Sequence, residues 1–370
     1  MIIGLFTEIL SAGGVQRAGR HVAAVAAKFA AERGFACCFL SLNDPQGLHT
    51  VRVDAGEFLV SGYAHNKPQF VLAALRAAGH QPLLVIALHP HLAPVIALMR
   101  LRSRRFRSIV FAYGIEVWQP LGWPRGPALR RANLVTAISA DTAQHLLSEQ
   151  GIPPEKIRRL ALGLDPEFEA WLRVSVRPPR PRAFPERARI ILTVGRWDPA
   201  ERYKGADTLI SALPRVLPVV PDTVLVLVGD GGDRPRLEQL AREHGIADRT
   251  RFLCGLTEEE LFASYAHCDV FALPSSGEGF GLVFLEAMAH GKPVIGGAHG
   301  GIPDVIEDGV TGLLVPHGDI ARLARALESL LVDPARAIEM GARGRERVQT
   351  TYTFAQFQSR LTQVMEDALM

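Results

Sequence analysis

Residues 275–289 read Ser275-Ser276-Gly277-Glu278-Gly279-Phe280-Gly281-Leu282-Val283-Phe284-Leu285-Glu286-Ala287-Met288-Ala289. A short apolar run, Val270–Leu273, precedes them, so the order is strand, glycine-rich loop, helix. Small residues let a ligand approach the backbone, and the loop carries one acid, Glu278. Glu286 is the odder residue. Its neighbours Leu282, Val283, Phe284, Leu285, Ala287 and Met288 are apolar on every side of the helix. A carboxylate buried there without partners would be very costly. The vicinal hydroxyls of a ribose would satisfy it, as would an internal arginine. Glu278 taken singly reads as a solvated loop acid; the pair at this spacing points to a site.

The same alternation runs through the chain. Ile2–Phe6, Phe35–Leu42, Leu83–Leu88, Ile109–Tyr113 and Leu134–Ile138 are strand-like, with a helical pattern from about Val15 to Glu32 after a Gly13-Gly14 turn. Beyond residue 189, strands at Arg189–Val194, Val224–Val228, Val270–Leu273 and Pro293–Ile295 alternate with further helices. Those helices fall near Ala206–Val219, Arg234–His244, Glu258–His267, Leu282–His290 and Ala321–Leu331. Such alternation predicts parallel βαβ units in doubly wound α/β sheets. At 370 residues the chain exceeds one core and fits two domains. Residues 171–189 hold four prolines and six arginines in nineteen positions, which suits an interdomain linker. The predicted division is 1–170, a linker at 171–189, and 190–350. Two Rossmann-like sheets would face a cleft, with ligands beyond the carboxyl ends of their strands.

Composition excludes several classes. The chain is 48% hydrophobic and 21% charged, too apolar for a disordered tail. Its 41 basic and 38 acidic residues leave a net charge of +3, low for a nucleic-acid binder, and no such partner is expected. Four cysteines without framework or metal-type spacing read as free thiols of a reducing compartment. Met1–Glu8 has neither a basic segment nor a cleavage site. The longest uncharged stretch, Pro82–Met99, holds three prolines and His89-Pro90-His91, which argues against a membrane helix. A cytoplasmic chain is the expectation. Its charge is uneven: residues 1–170 carry 18 basic and 12 acidic side chains, residues 190–370 carry 17 and 25. Arg100, Arg102, Arg104, Arg105 and Arg107 cluster beside an apolar helix. They suggest peripheral contact with an anionic membrane surface, against the plainer reading of a solvated basic face.

Other candidate residues stand where strands end. Val194-Gly195-Arg196 closes a strand and Lys204-Gly205 opens a helix, bringing two cations to free backbone N–H groups, an arrangement suited to a diphosphate. Val228-Gly229-Asp230-Gly231-Gly232 and Gly300-Gly301-Ile302-Pro303 are further glycine turns. In the first half, Gly13-Gly14-Val15-Gln16-Arg17, His89-Pro90-His91 and Tyr113-Gly114-Ile115-Glu116 each lie at or past a strand end.

Glu278 and Glu286, with seven residues between them, resemble the E-x7-E motif of retaining glycosyltransferases. Taken with the turns above, Gly291-Lys292-Pro293-Val294-Ile295 and Gly300–Gly309, residues 190–350 closely resemble a family 4 glycosyltransferase of the GT-B fold. The first half resembles it more loosely. The resemblance implies transfer of a hexose from a UDP- or GDP-linked sugar to a hydroxyl of a glycan or lipid-linked acceptor. It implies an α-glycosidic product, in bacterial cell-surface polysaccharide or glycolipid synthesis. Front-face attack, assisted by the donor's own phosphate, is the mechanism favoured for this group.

The resemblance also carries roles. Arg196 and Lys204 match cations for the donor diphosphate, Glu286 the acid on the nucleotide ribose, and Glu278 the acid on hydroxyls of the transferred sugar. Phe280, Gly281 and Leu282 match backbone contacts to the donor, and Gly13 and Gly14 a loop approaching its phosphate. His89 matches a histidine near the reacting carbon, so His89, Glu278, Arg196 and Lys204 are the expected catalytic set. Glu116, Arg17 and His91 are expected on the acceptor side. No metal or other cofactor is implied, and no Asp-x-Asp triplet occurs in the chain. The departing diphosphate then depends on Arg196, Lys204 and helix N-termini. The terminal helix, 351–370, is expected to pack back on the first domain. One departure stands out, Leu162 where relatives carry asparagine. Two rival readings share the scaffold, a catalytically silent sugar-nucleotide binder and a sugar-nucleotide epimerase; the intact residue set weighs against the first.

Overall fold

The computed structural model describes residues 1–370 apart from 12, 54, 55 and 174–177. Two compact units emerge, Met1–Pro166 together with Phe354–Met370, and Glu167–Thr353.

The first unit contains β1 (Ile2–Phe6), β2 (Cys37–Ser41), β3 (Gly47–Val53), β4 (Gly56–Gly62), β5 (Leu84–Ala87), β6 (Arg107–Ala112), β7 (Leu134–Ala137) and β8 (Ile157–Arg159). They form one eight-stranded sheet in the order β3-β4-β2-β1-β5-β6-β7-β8. β1 and β5 are buried along their whole length, as expected for strands covered on both faces. One edge departs from the all-parallel expectation. β3 and β4 pair antiparallel, Val51 opposite Phe58, because a short connection can join antiparallel neighbours but not parallel ones.

The second unit contains β9 (Arg189–Val194), β10 (Thr223–Val228), β11 (Thr250–Leu253), β12 (Val270–Leu273), β13 (Val294–Gly297) and β14 (Gly312–Val315). Their order is β11-β10-β9-β12-β13-β14, parallel throughout. Each sheet has a reversal of strand order, between β1 and β5 in the first and between β9 and β12 in the second. Helices leave in opposite directions there, which opens a crevice at the carboxyl ends of the strands.

The proline- and arginine-rich stretch is tied down over its described length. Residues 171–173 complete a helix, Pro166–Arg173, and 174–177 lie outside the described residues. His267 Nε2 then donates to the Pro178 carbonyl at 2.7 Å. Arg180 reaches the carbonyls of Phe184, Pro185 and Ala188, and β9 begins at Arg189. The guanidinium satisfies carbonyls that a proline-broken segment cannot pair in a ladder. The last helix, Phe354–Leu369, packs on the helix Gly14–Glu32 and on β6, burying Phe357, Leu361 and Met365. Among the described residues, no helix is long and apolar enough to cross a membrane.

Candidate active site

The second unit gathers its candidate residues at the β9/β12 reversal. The loop after β9 carries Arg196, Glu201 and Lys204; the loop after β12 carries Glu278. Lys204 Nζ lies 3.4 Å from Glu278 Oε1 and 3.5 Å from Glu201 Oε2, and these three side chains are mostly buried. Glu201 also pairs with Arg196, whose side chain stays largely exposed. The loops are locked together by backbone: Ser276 N–H donates to the Tyr203 carbonyl at 2.9 Å. Gly205 is left-handed at φ 79°, and a Cβ there would stand 2.7 Å from the Pro274 carbonyl oxygen. Gly229, at φ 127°, leaves no room either, since its Cβ would fall 1.8 Å from the Gly195 carbonyl oxygen. Only glycine permits these approaches.

Glu286 sits on the helix Leu282–Ala289, in its second turn, and is buried at 5% exposure. Tyr265, on the helix Glu258–His267, donates its hydroxyl to Glu286 Oε2 at 2.7 Å. The buried carboxylate thus has a neutral hydroxyl among its hydrogen-bond donors. Phe280, Gly281 and Leu282 form the entry to this helix, with Gly281 as the residue before its first turn. The Glu278 carbonyl accepts from Gly301 N–H at 2.8 Å, tying the loop to the Gly300-Gly301 turn.

A second ionic group ties the loop after β9 to the one after β10. Asp233, 4% exposed, receives Arg202 and Arg236, and Arg236 also pairs bidentately with Asp207. Hydrogen bonding from Arg236 leads in pulling the Asp233 carboxyl down to about 2, against burial, with Arg202 adding to it.

In the first unit the candidates flank the β1/β5 reversal. Gly13 and Gly14 begin the helix Gly14–Glu32, and Arg17 on its first turn lies 3.6 Å from Asp165, which also faces His21 at 3.3 Å. His89 follows β5. Its Nδ1 accepts the His91 backbone N–H at 3.1 Å, so the proton of the neutral ring sits on Nε2. Burial first, then His91 and Arg125, push its pKa down to about 4. Glu116 lies at the end of β6 but turns back on its own loop, its Oε1 accepting the Tyr113 backbone N–H at 2.5 Å. Burial raises its pKa, while backbone hydrogen bonds within the loop oppose the shift.

The arginine cluster is not one surface. Arg100 turns inward, donating to Ser108 Oγ at 3.0 Å and Asn133 Oδ1 at 2.8 Å. It satisfies buried polar groups between neighbouring strands, and so does not belong with a solvent-facing patch. Arg102, Arg104, Arg105 and Arg107 are exposed. Three side chains of the second site lay outside the sequence reading: Glu201, Tyr265 and His317, whose Nδ1–H donates to the Pro274 carbonyl at 3.0 Å. Only tertiary contact reveals Tyr265; Glu201 stood in view, three residues before Lys204. Among the described residues, no cluster of three His, Cys, Asp or Glu side chains is assembled to hold a metal ion.

Known proteins share both halves. Residues 178–347 match the family described as "Glycosyl transferases group 1", and residues 13–168 match "Glycosyltransferase Family 4". A GDP-mannose-dependent alpha-(1-6)-phosphatidylinositol monomannoside mannosyltransferase of Mycolicibacterium smegmatis is 36% identical over 276 residues, covering 68% of this chain and 69% of that one. A D-inositol 3-phosphate glycosyltransferase of Corynebacterium aurimucosum is 32% identical over 64% of this chain and 58% of its own length. In structure, the sucrose-phosphate synthase of Thermosynechococcus elongatus aligns with a TM-score of 0.76 at 25% identity, over 99% of this chain and 98% of that one. Anabaena HepE in complex with UDP and glucose aligns at 0.78 and 20% identity, over 99% and 100%. With both halves matched, this chain belongs to the family 4 glycosyltransferases and has their GT-B fold.

Proposed function

We propose that this glycosyltransferase moves mannose from GDP-mannose, with retention, to a hydroxyl of a phosphorylated inositol or its lipid, giving an α-linkage. The observation that carries the reading is the Arg196–Glu201–Lys204–Glu278 group at one strand-order reversal, with the buried Glu286 on the helix that follows the Glu278 loop. The donor and acceptor classes are taken from the names of the mannosyl- and inositol-phosphate transferases it resembles.

In this reading the second unit holds the donor. Arg196 and Lys204, with backbone N–H groups at the start of the helix Leu282–Ala289, take the diphosphate. Glu286 accepts from the ribose hydroxyls and Glu278 from those of the sugar. As the glycosidic bond breaks, negative charge grows on the departing diphosphate, and the two cations stabilise it without a metal. The acceptor hydroxyl attacks from the leaving-group side and passes its proton to that diphosphate. His89 offers its neutral Nε2–H to a substrate hydroxyl. The exposed Arg102, Arg104, Arg105 and Arg107, beside Leu101 at 79% exposure, would meet an anionic membrane carrying the lipid.

The test incubates the protein with GDP-mannose or UDP-glucose, each with phosphatidylinositol in micelles. Transfer from GDP-mannose, an α-anomeric proton signal in the product, and full activity in EDTA are the expected results. Transfer from UDP-glucose alone overturns the donor assignment, and a β-product overturns retention.

A further inference from the structure

We propose that Trp123 and Arg125 form the acceptor subsite, the indole face receiving the apolar face of a ring polyol and Arg125 its phosphate. This rests on the phosphorylated acceptor proposed above. Trp123 is 88% exposed, the most exposed large apolar side chain among the described residues. Its loop is nonetheless anchored by hydrogen bonds. Gln150, buried at 1% exposure, donates to the carbonyls of Val117 and Gln119 at 2.8 and 2.7 Å and accepts from Leu121 N–H at 3.0 Å. Behind Trp123, Gly126 N–H closes on the Gly122 carbonyl at 3.1 Å.

A large aromatic ring held in water on a fixed backbone loses little freedom when a ligand covers it. Its position is the second observation. Arg125 reaches His91 Nε2 at 3.4 Å, and the His91 ring lies 4.4 Å from that of His89. Trp123 therefore belongs to the loop group at the carboxyl ends of β5 and β6, where an α/β sheet binds its ligands. Glu116, on the same loop, is spent on backbone; Trp123 and Arg125 are turned outward. An exposed indole two residues from an exposed guanidinium on one loop matches a polyol ring bearing a phosphate: C–H groups for the ring, charge for the phosphate.

The test measures transfer from GDP-mannose by wild type, Trp123→Ala, Trp123→Phe and Arg125→Gln. Two acceptors are used, soluble D-inositol 3-phosphate and phosphatidylinositol in micelles. Co-sedimentation with phosphatidylglycerol vesicles runs alongside. Trp123→Ala is expected to raise the acceptor KM about tenfold on both acceptors, with Trp123→Phe recovering most of the loss. Arg125→Gln is expected to raise the same KM. The donor KM stays unchanged in both Trp123 variants. Equal acceptor KM values in wild type and Trp123→Ala overturn the proposal, as does a fall in kcat alone. A loss confined to the lipid, in step with weaker sedimentation, makes Trp123 a membrane anchor and overturns it too. A wild type inactive on both acceptors removes the acceptor class itself, and this subsite with it.

Discussion

Lys204 shares its ammonium between Glu278, 3.4 Å away on the loop after β12, and Glu201, 3.5 Å away on its own loop. The cation is thus already oriented by two carboxylates. Preorganised charge is what a developing anion needs, because nothing has to move when the bond breaks. Lys204→Ala is expected to lower kcat on the order of 100-fold, with a smaller change in GDP-mannose affinity. Steady-state kinetics with calorimetric donor binding would measure both; an unchanged kcat removes Lys204 from the chemistry.

Tyr265→Phe takes one donor from a buried carboxylate while keeping the ring. The expected cost is about 1–3 kcal/mol of unfolding free energy, together with weaker donor binding through a displaced Glu286. Urea denaturation and donor titration read the two effects separately. Full stability in the phenylalanine variant would mean that the 2.7 Å contact contributes nothing.

The His89 ring is held neutral by burial, its pKa down to about 4 from the usual 6.5. The folded state thus favours the uncharged ring. That contribution is complete above the unfolded pKa and is lost as pH falls from 6.5 through 4. Between pH 5 and 8 the rate profile should carry no inflection from this residue. His89→Ala should reduce kcat on the order of 100-fold at pH 7, and an inflection near pH 6.5 that vanishes in the variant would contradict the neutral assignment.

Asp233 titrates in the opposite regime. Its carboxyl, pulled from 3.8 to about 2, stabilises the fold above its unfolded pKa, and the gain disappears as pH drops through 2. Asp233→Asn should therefore cost on the order of 2 kcal/mol at pH 7. The gap from wild type should shrink steadily from about pH 4 downward. Thermal denaturation across that range decides it; a pH-independent gap would assign the loss to geometry instead of charge.

Replacing Arg102, Arg104, Arg105 and Arg107 with glutamine should weaken sedimentation with anionic vesicles by ~1 kcal/mol per charge at low salt. Arg100→Gln should leave vesicle binding unchanged and lower the melting temperature, since its guanidinium is bonded to Ser108 and Asn133. The reverse ranking would return Arg100 to the surface patch.

What could be read beforehand follows from how each element is stabilised. β9 and β12 were legible to the residue because continuous apolar runs mark strands buried on both faces. β3 and β4 were not. They alternate exposure and carry His49, Arg52 and Glu57, so no apolar run announces them. β14 is a bare Gly-Leu-Leu-Val, too short to separate from a turn. The helix Pro334–Thr351 escaped because it faces the core with Ala337, Gly341 and Gly344, and Gly341 sits so close to the Gly291 carbonyl that a Cβ would fall 2.0 Å from it. Close backbone packing uses small residues and leaves little hydrophobic signal.

The site divides the same way. Glu286 was conspicuous as an acid in an apolar helix, a local anomaly visible in one turn of sequence. Tyr265, its partner, is 21 residues earlier on another helix. Arg100 looked like its neighbours until tertiary structure supplied Asn133, 33 residues away.

The helix Phe354–Leu369 completes a unit whose other residues end at Pro166. In order of synthesis, this unit is therefore completed only after the residues of Glu167–Thr353 have been added. A chain cut after Thr353 holds every residue of the second unit and lacks part of the first. His21 would then lack the Phe354 ring that meets it at 5.2 Å. Apolar surface left uncovered in this way is what chaperones bind and what aggregates. Removing the helix Phe354–Leu369 would thus damage the unit built from Met1–Pro166, some two hundred residues earlier in the chain.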